Sequence, residues 1–334
     1  MRAFEVRGGG IDGLVQVERP EPSPGPGEAL VAVRAASLNY RDLMVAEQAR
    51  RPRVPLSDGA GEVVAVGPGV TTLRPGDRVA TAFFPAWLDG ELDDVKRRSA
   101  LGGAADGVLA ERLALPAAGL VRVPGGLSYE EAATLPCAAV TAWVGLVEYG
   151  RLRPGETVLA MGTGGVSVFA LQLAKQAGAR VILTSSDDAK LARGRALGAD
   201  GTINYRTTPA WDERARALTD GRGVDHILEV GGAATLPTSL RALRDGGHLS
   251  VVGLLSGAWP DWGAVEREAR GLRVDHVYVG SVRHFEAMNA AIAASGLRPV
   301  VDRVFPFDEA RRAYEHLRSG RHFGKVVIRI GEAA

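Results

Sequence analysis

The sequence predicts an α/β protein in which a doubly wound parallel sheet follows a β-rich part. Three observations carry this. The stretch ETVLAMGTGGVSVFALQLAKQAGARVILTSS, Glu156 to Ser186, reads as strand, tight glycine turn, helix, strand. From there strands and helices alternate as far as residue 280, giving six strands in all. Before it, short strands separated by Pro and Gly turns suggest a small, partly open barrel.

The glycine turn bears most of the argument. Residues 157–161 form an apolar run that stops at Gly162, and Thr163, Gly164, Gly165, Val166 and Ser167 follow. Val168, Leu171, Leu173 and Ala174 supply helical apolar positions, Gly178 ends the helix, and VILTS is the next strand. A pyrophosphate must approach the backbone closely at such a turn, which requires glycine, and the amides of the helix start then face the phosphates. Ser167 stands where the usual pattern has a third glycine, and it is small enough to keep helix and strand close. The alternative is a glycine turn that binds no nucleotide.

Taken in order, MRAFEV and LVQVERP are short strands, and PEPSPGPGE is an extended loop. EALVAVRAASLNYRDLMV begins as a strand and turns helical at or after Asn39. GAGEVVAVG is strand-like, Pro68-Gly69 and Pro75-Gly76-Asp77 are turns, and RVAT is a strand. Residues 84–108 have no clean period and read as a surface loop with a short helix; GVLAERLALP returns to a strand. Ser128 and Glu131 form a capping box for a helix that Pro136 interrupts or divides. After VILTS, helices are expected at about 187–197, 209–219, 234–244 and 261–270. The strands GTINY, VDHILEV, HLSVVG and RVDHVYVG separate and follow them. A helix at about 281–295, a strand at VVDRVFP, a helix capped by Asp308 and the strand KVVIRI close the chain.

A chain of 334 residues is long enough for two domains. A net charge of +1 argues against nucleic-acid binding, and Arg50, Arg51 and Arg53 read as a solvated loop. The N-terminus has no signal-peptide core. Residues 157–174 are uncharged, but glycines, threonines, a serine and a glutamine interrupt them, so they read as the nucleotide turn and not as a membrane span. The single cysteine, Cys137, excludes an internal disulfide and a cysteine-cluster zinc site. A cytoplasmic enzyme without membrane or nucleic-acid partners is the expectation.

The segments GAGEVVAVGPGV (59–70), LRPGDRV (73–79), LPCAAVTAW (135–143), GTGGVS (162–167), GHLSVVG (247–253) and HFGKVVIRI (322–330) occur in this order over nearly the whole chain. With them the sequence resembles the medium-chain dehydrogenase/reductase superfamily. The resemblance implies a central Rossmann domain at 123–280 and a split, β-rich GroES-like catalytic domain at 1–122 and 281–334. In the family's zinc enzymes a cysteine stands at the position of Asn39, a His-Glu pair at Ser57-Asp58, and the third ligand at Cys137. Asn and Ser are not usual zinc ligands, so the ordinary catalytic site is not expected to form, and Cys137 reads as a small buried residue. LNYRDLM resembles the zinc-free quinone oxidoreductases and enoyl reductases, where an asparagine like Asn39 lies beside the nicotinamide.

The expected cofactor is NADP(H) in preference to NAD(H). The second strand of the fold ends in Ser185-Ser186 with no acid there to bond ribose hydroxyls. In the related quinone oxidoreductases a lysine like Lys190 and a tyrosine like Tyr205 hold the extra phosphate. The alternative is that Lys190 is a solvated helix residue and Asp187 bonds the ribose. By the resemblance, Thr141, Gly162, Thr163, Gly164, Gly165, Val166, Gly231, Gly253, Leu254, Val279 and Lys325 also contact the cofactor.

Without a metal, donors must stabilise the oxyanion or conjugation must spread its charge, and quinones and α,β-unsaturated carbonyls meet the second condition. Tyr40 and Arg41 are the catalytic candidates by family position, one as hydrogen-bond or proton donor and the other as a charge stabiliser. Each has a plainer reading: Tyr40 walls a pocket, and Arg41 pairs with Asp42 or a cofactor phosphate. His276 and Tyr278 are expected on one face of the last strand, toward a pocket or a subunit interface. A ketone substrate, with an alcohol dehydrogenase or ketoreductase activity, is the second reading; a non-catalytic NADPH- or RNA-binding protein is the third. Dimerisation through the edge strand VDHVYVG is expected.

Overall fold

The computed structural model describes residues 1–253, 263, 265, 269 and 271–331. The chain groups into two compact units, Met1–Val140 with Val279–Ala334, and Thr141–Tyr278. The first unit begins with strands Arg2–Val6 (β1), Leu14–Glu18 (β2), Glu28–Ser37 (β3), Asp58–Val66 (β4), Arg78–Thr81 (β5), Arg112–Pro116 (β6) and Leu120–Arg122 (β7). The second holds Thr157–Ala160 (β8), Arg180–Ser185 (β9), Gly201–Asn204 (β10), Val224–Glu229 (β11), Leu243–Val251 (β12) and Arg273–His276 (β13). Val301–Pro306 (β14) and Lys325–Arg329 (β15) return to the first unit.

Among the described residues the first unit carries a two-stranded sheet of β1 and β2 and a larger sheet in the order β14-β15-β3-β4-β5-β7. β3 is long enough to pair β4 along one edge and, along the other, β6 with its first half and β15 with its second. Two register shifts bend β3 against β4. Gly61 sits at the bend, where an added Cβ would lie 2.1 Å from the Ala32 carbonyl oxygen, so only glycine fits. The core beneath includes Val31, Leu56, Val63, Val108, Phe305, Val326 and Ile328.

Residues 123–140 group with this first unit, not with the nucleotide unit to which the sequence reading assigned them, because the helix Tyr129–Ala132 packs on β3, β4, β14 and β15. Its capping box is present: the Ser128 hydroxyl accepts from the Glu131 amide, and Glu131 accepts from the Ser128 amide at 2.8 Å. Pro136 lies in the first turn of a π-helical stretch, Leu135–Ala139, which separates that helix from Val140–Trp143.

Residues 84–108 depart from the expected surface loop. Asp94–Arg97 is helical, but Phe84, Trp87, Leu101 and Val108 are buried, and the Trp87 indole donates to the Gly90 carbonyl at 2.8 Å. Their spacing follows neither a helical nor a strand period, so no sequence period betrays them. Asp308 is not a helix cap; it lies inside a 3₁₀ turn, Phe307–Glu309, and the helix begins at Ala310.

The second unit is a six-stranded sheet among the described residues, ordered β10-β9-β8-β11-β12-β13, with every pair parallel. β8 and β11 are buried throughout, as strands covered on both faces must be. The strand order reverses between β8 and β11, which sets the crevice at their carboxyl ends as the ligand position of such sheets. The last strand is shorter than RVDHVYVG. It ends at His276, and Val279 has φ +59°, which no strand accommodates, so the expected shared face of His276 and Tyr278 is not a strand face. The helix expected near 261–270 falls mostly outside the described residues.

Candidate active site

In the second unit the chain leaves β8 through Met161 into a turn where Gly162 has φ +76°, and the helix Gly165–Gln176 begins after Gly164. A Cβ added at Gly162 or Gly164 would meet nothing within 4 Å, so the turn borders open space on the side where phosphates would lie. No side chain caps this helix, which leaves its first amides without a side-chain acceptor. Ser167 does more than keep the helix close: its buried hydroxyl donates to the Met161 carbonyl and ties the helix to the end of β8. The Gly162 amide donates to Thr184 Oγ1 at 3.2 Å, tying the turn to β9. These features fit a dinucleotide pyrophosphate, held by the backbone of residues 162–166.

The carboxyl ends of β9 and β10 carry two predicted residues, and a third lies in the helix that follows β9. Ser185 is buried, its carbonyl accepts from the Tyr205 amide at 3.1 Å, and Tyr205 is exposed. Lys190 lies in the helix Asp188–Ala196, which starts directly after Ser186 and Asp187. Asp187 is the N-cap of that helix and accepts from the Lys190 amide at 3.1 Å.

Sequence reasoning missed Glu229, at the carboxyl end of β11. Its carboxylate is fully buried. It accepts from the Gly231 amide (2.6 Å), the Gly232 amide (3.1 Å), the Thr235 hydroxyl (2.7 Å) and the Ser239 hydroxyl. It shapes the loop that leaves the switch point. Gly231 is confined by this network, because a Cβ there would lie 2.1 Å from Thr235 Oγ1. A Cβ at Gly253 would lie 2.7 Å from the Val230 carbonyl oxygen, and Thr141 is buried in Val140–Trp143. Leu254 lies outside the described residues. Val279 belongs to the first unit.

The first unit holds a separate polar cluster. The buried Lys325 ammonium donates to the Leu38 carbonyl at 2.6 Å and to Asn39 Oδ1 at 2.5 Å, and it lies 3.7 Å from Asp58 Oδ2. Asp58 also accepts from the Cys137 amide at 3.2 Å and from the Ser57 hydroxyl at 2.6 Å. Asp42, fully buried, accepts from the Asn39 amide at 2.6 Å; burial raises its pKa to about 6 against the opposing pull of Arg41. Burial, and then the Asp58 carboxylate, push the Cys137 thiol well above its ordinary range. Tyr40 is half exposed. Arg41 does not pair with Asp42 by a direct bond: Nη1 donates to the Leu101 carbonyl at 2.9 Å, and the guanidinium lies 4.5 Å from the centre of the Phe83 ring.

Fold and site together define an α/β enzyme that has a dinucleotide-binding unit and a GroES-like β unit. Residues 25–125 match a family profile described as the alcohol dehydrogenase GroES-like domain, and residues 165–294 one described as zinc-binding dehydrogenase. A zinc-type alcohol dehydrogenase-like protein of Schizosaccharomyces pombe is 46% identical over 96% of each chain. A solved NAD-dependent alcohol dehydrogenase is 36% identical, with TM-score 0.87 over 99% of this chain and 100% of its own. A mycobacterial protein solved with NADPH is 30% identical, with TM-score 0.82 over 98% of this chain and 100% of its own. The chain belongs to the medium-chain dehydrogenase/reductase superfamily and is an NAD(P)-dependent oxidoreductase.

The zinc in these family descriptions does not fit the residues present. Among the described residues no cluster of three or more His, Cys, Asp or Glu side chains is arranged to hold a metal ion. At the family's ligand positions stand the Asn39 amide, the Ser57 hydroxyl, which donates to Asp58, and Cys137, and the Lys325 ammonium bonds the first of them.

Proposed function

We propose that the protein is an NADPH-dependent reductase of quinones or α,β-unsaturated carbonyl compounds that works without zinc. The observation that carries the cofactor choice is the engagement of Asp187. One oxygen of its carboxylate caps the helix that follows it, a role that accounts for this acid without a ribose contact. Ser185, Lys190 and Tyr205 stand at the same edge of the sheet, and a hydroxyl, an ammonium and a phenol suit a ribose phosphate. NADPH, when bound, supplies a hydride to the electrophilic carbon of the acceptor. The chain's own part is to hold the pyrophosphate on the amides of residues 163–166 and the extra phosphate on Lys190 and Tyr205. Near the acceptor, Tyr40 donates a hydrogen bond to the oxygen that gains charge, and the proton that completes the reduction comes from this phenol or from water. Gly231, Gly253, Thr141 and Val279 are assigned to the cofactor's surroundings, and the active form is taken as a homodimer.

Fluorescence titration of chelator-treated protein with NADPH and NADH tests this reading. Tight NADPH and weak NADH are expected, and Lys190→Ala should weaken NADPH about tenfold while leaving NADH unchanged. Preference for NADH, or no effect of Lys190→Ala, would return the ribose to Asp187. An acceptor screen follows. The name of the alcohol dehydrogenase relative favours a second reading, alcohol oxidation or ketone reduction, which predicts alcohol-dependent NAD(P)⁺ reduction that a chelator abolishes.

A further inference from the structure

Lys325 lies on β15, 286 residues from Asn39 in sequence, and the fold seats its ammonium among the three positions that carry the metal ligands in the family's zinc enzymes. It bonds Asn39 Oδ1 and lies 3.7 Å from Asp58, whose other bonds reach Ser57 and the Cys137 amide. Burying an ammonium is costly, and packing alone would be served as well by methionine. We propose that the Lys325 ammonium takes the place of the metal: one fixed positive charge that excludes zinc and positions the Asn39 amide.

The positioning follows from hydrogen-bond bookkeeping. The ammonium is a donor only, so Asn39 must turn its carbonyl oxygen toward Lys325. Asn39 Nδ2 is then the end turned away from the ammonium, and this buried atom has no hydrogen-bond partner among the described residues. A buried NH₂ left unpaired in this way is a donor set for an acceptor oxygen, and the chemistry it recognises is a carbonyl. This role rests on the reductase reading above: the carbonyl is that of the acceptor.

Two arms test the proposal on the full chain. The first needs no activity. Wild type, Asn39→Cys and Asn39→Cys/Lys325→Met are titrated with zinc chloride alone, after metal content is measured on protein purified without chelator. Wild type should hold no stoichiometric zinc, and Asn39→Cys should bind it weakly because the ammonium remains. The double variant, with a thiol, Asp58 and Cys137 free of the cation, should bind about 100-fold more tightly than Asn39→Cys. One zinc per wild-type chain, or equal affinity of the two variants, overturns the proposal.

The second arm reads turnover with an acceptor that wild type reduces. Lys325→Met should lower kcat about 100-fold and change the NADPH Kd less than about threefold, and Lys325→Arg should restore part of kcat. The acceptor KM should rise as well, and a loss carried by the NADPH Kd with kcat and KM intact overturns the positioning role. A fall in Tm with kcat, KM and Kd intact would make Lys325 merely structural and overturn its positioning role. Should Lys325→Met fail to fold, Lys325→Met/Asp58→Asn removes both buried charges and takes its place. Wild type that reduces no quinone or enone refutes the reductase reading and leaves the zinc arm to judge Lys325.

Discussion

His226 Nδ1 and His248 Nδ1 lie 3.3 Å apart on the neighbouring strands β11 and β12. The outer nitrogens meet carboxylates, His226 at Glu156 (2.9 Å) and His248 at Asp275 (3.1 Å). Only one of the two facing nitrogens can carry a hydrogen, so the pair cannot be doubly protonated without breaking this contact. Burial lowers the pKa of both rings, and for His248 burial and then repulsion from His226 bring it to about 4. Between about pH 4 and 6.5 the unfolded chain therefore binds more protons than the folded one, and stability falls as pH falls. The loss from His248 should approach about 3 kcal/mol at the lower end and vanish above pH 6.5. Melting curves from pH 7.5 to 4.5 check this: His248→Gln should flatten the slope, and an unchanged slope would place its source elsewhere.

Glu229 makes a second stability prediction. Four donors converge on a carboxylate with no exposure to water. Glu229→Ala would leave the Gly231 and Gly232 amides without this acceptor and the Thr235 and Ser239 hydroxyls with only their longer contacts to the Gly232 carbonyl and Met161 Sδ, at a cost of about 2–4 kcal/mol. Glu229→Gln keeps an acceptor for the glycine amides but sets an NH₂ near hydroxyl donors, and should cost less. Because the loop leaves the switch point, both variants should also weaken NADPH binding. Thermal melts and cofactor titration on the same samples would separate the effects, and unchanged affinity in a destabilised protein would confine Glu229 to the scaffold.

What could be read from the sequence was local. Residues 157–185 declare themselves because the glycines, the strand and the helix are contiguous, and the structure places each where it was expected. The Asn39–Lys325 bond is illegible because its partners lie at opposite ends of the chain and neither belongs to a period. Glu229 looks like an ordinary acid at a strand end until the fold brings Thr235 and Ser239 onto it. Trp87 and Leu101 read as loop residues for a related reason, since isolated apolar side chains in an irregular segment carry no face. The early end of β13 is set by the turn at Val279, a residue whose type would argue for continuing the strand.

Arg41 was a catalytic candidate, and the structure gives its guanidinium two protein partners, the Leu101 carbonyl and the Phe83 ring. These tie the helix Tyr40–Gln48 to Phe83 and to the segment that follows it. Arg41→Ala should therefore cost about 1–2 kcal/mol of stability, and Arg41→Lys should recover little, since an ammonium cannot both stack and donate in the same plane. Tyr40→Phe, by contrast, should leave the melting temperature unchanged and lower kcat. A fall in kcat with full stability in Arg41→Ala would restore Arg41 to the chemistry.

The outer edge of β13 concerns assembly. β13 closes the six-stranded order and pairs only β12 among the described residues, from Arg273 to His276. A strand at the end of a sheet is a place where a second copy of the same strand can add about a twofold axis. Light scattering should then give a mass of about 70 kDa, twice the 35.1 kDa of one chain, and hold it on dilution to low micromolar concentration. Four residues make a short seam, so dimer strength would have to come from side chains flanking it. A mass of one chain at every concentration would mean that the short strand and the turn at Val279 protect the edge instead of offering it.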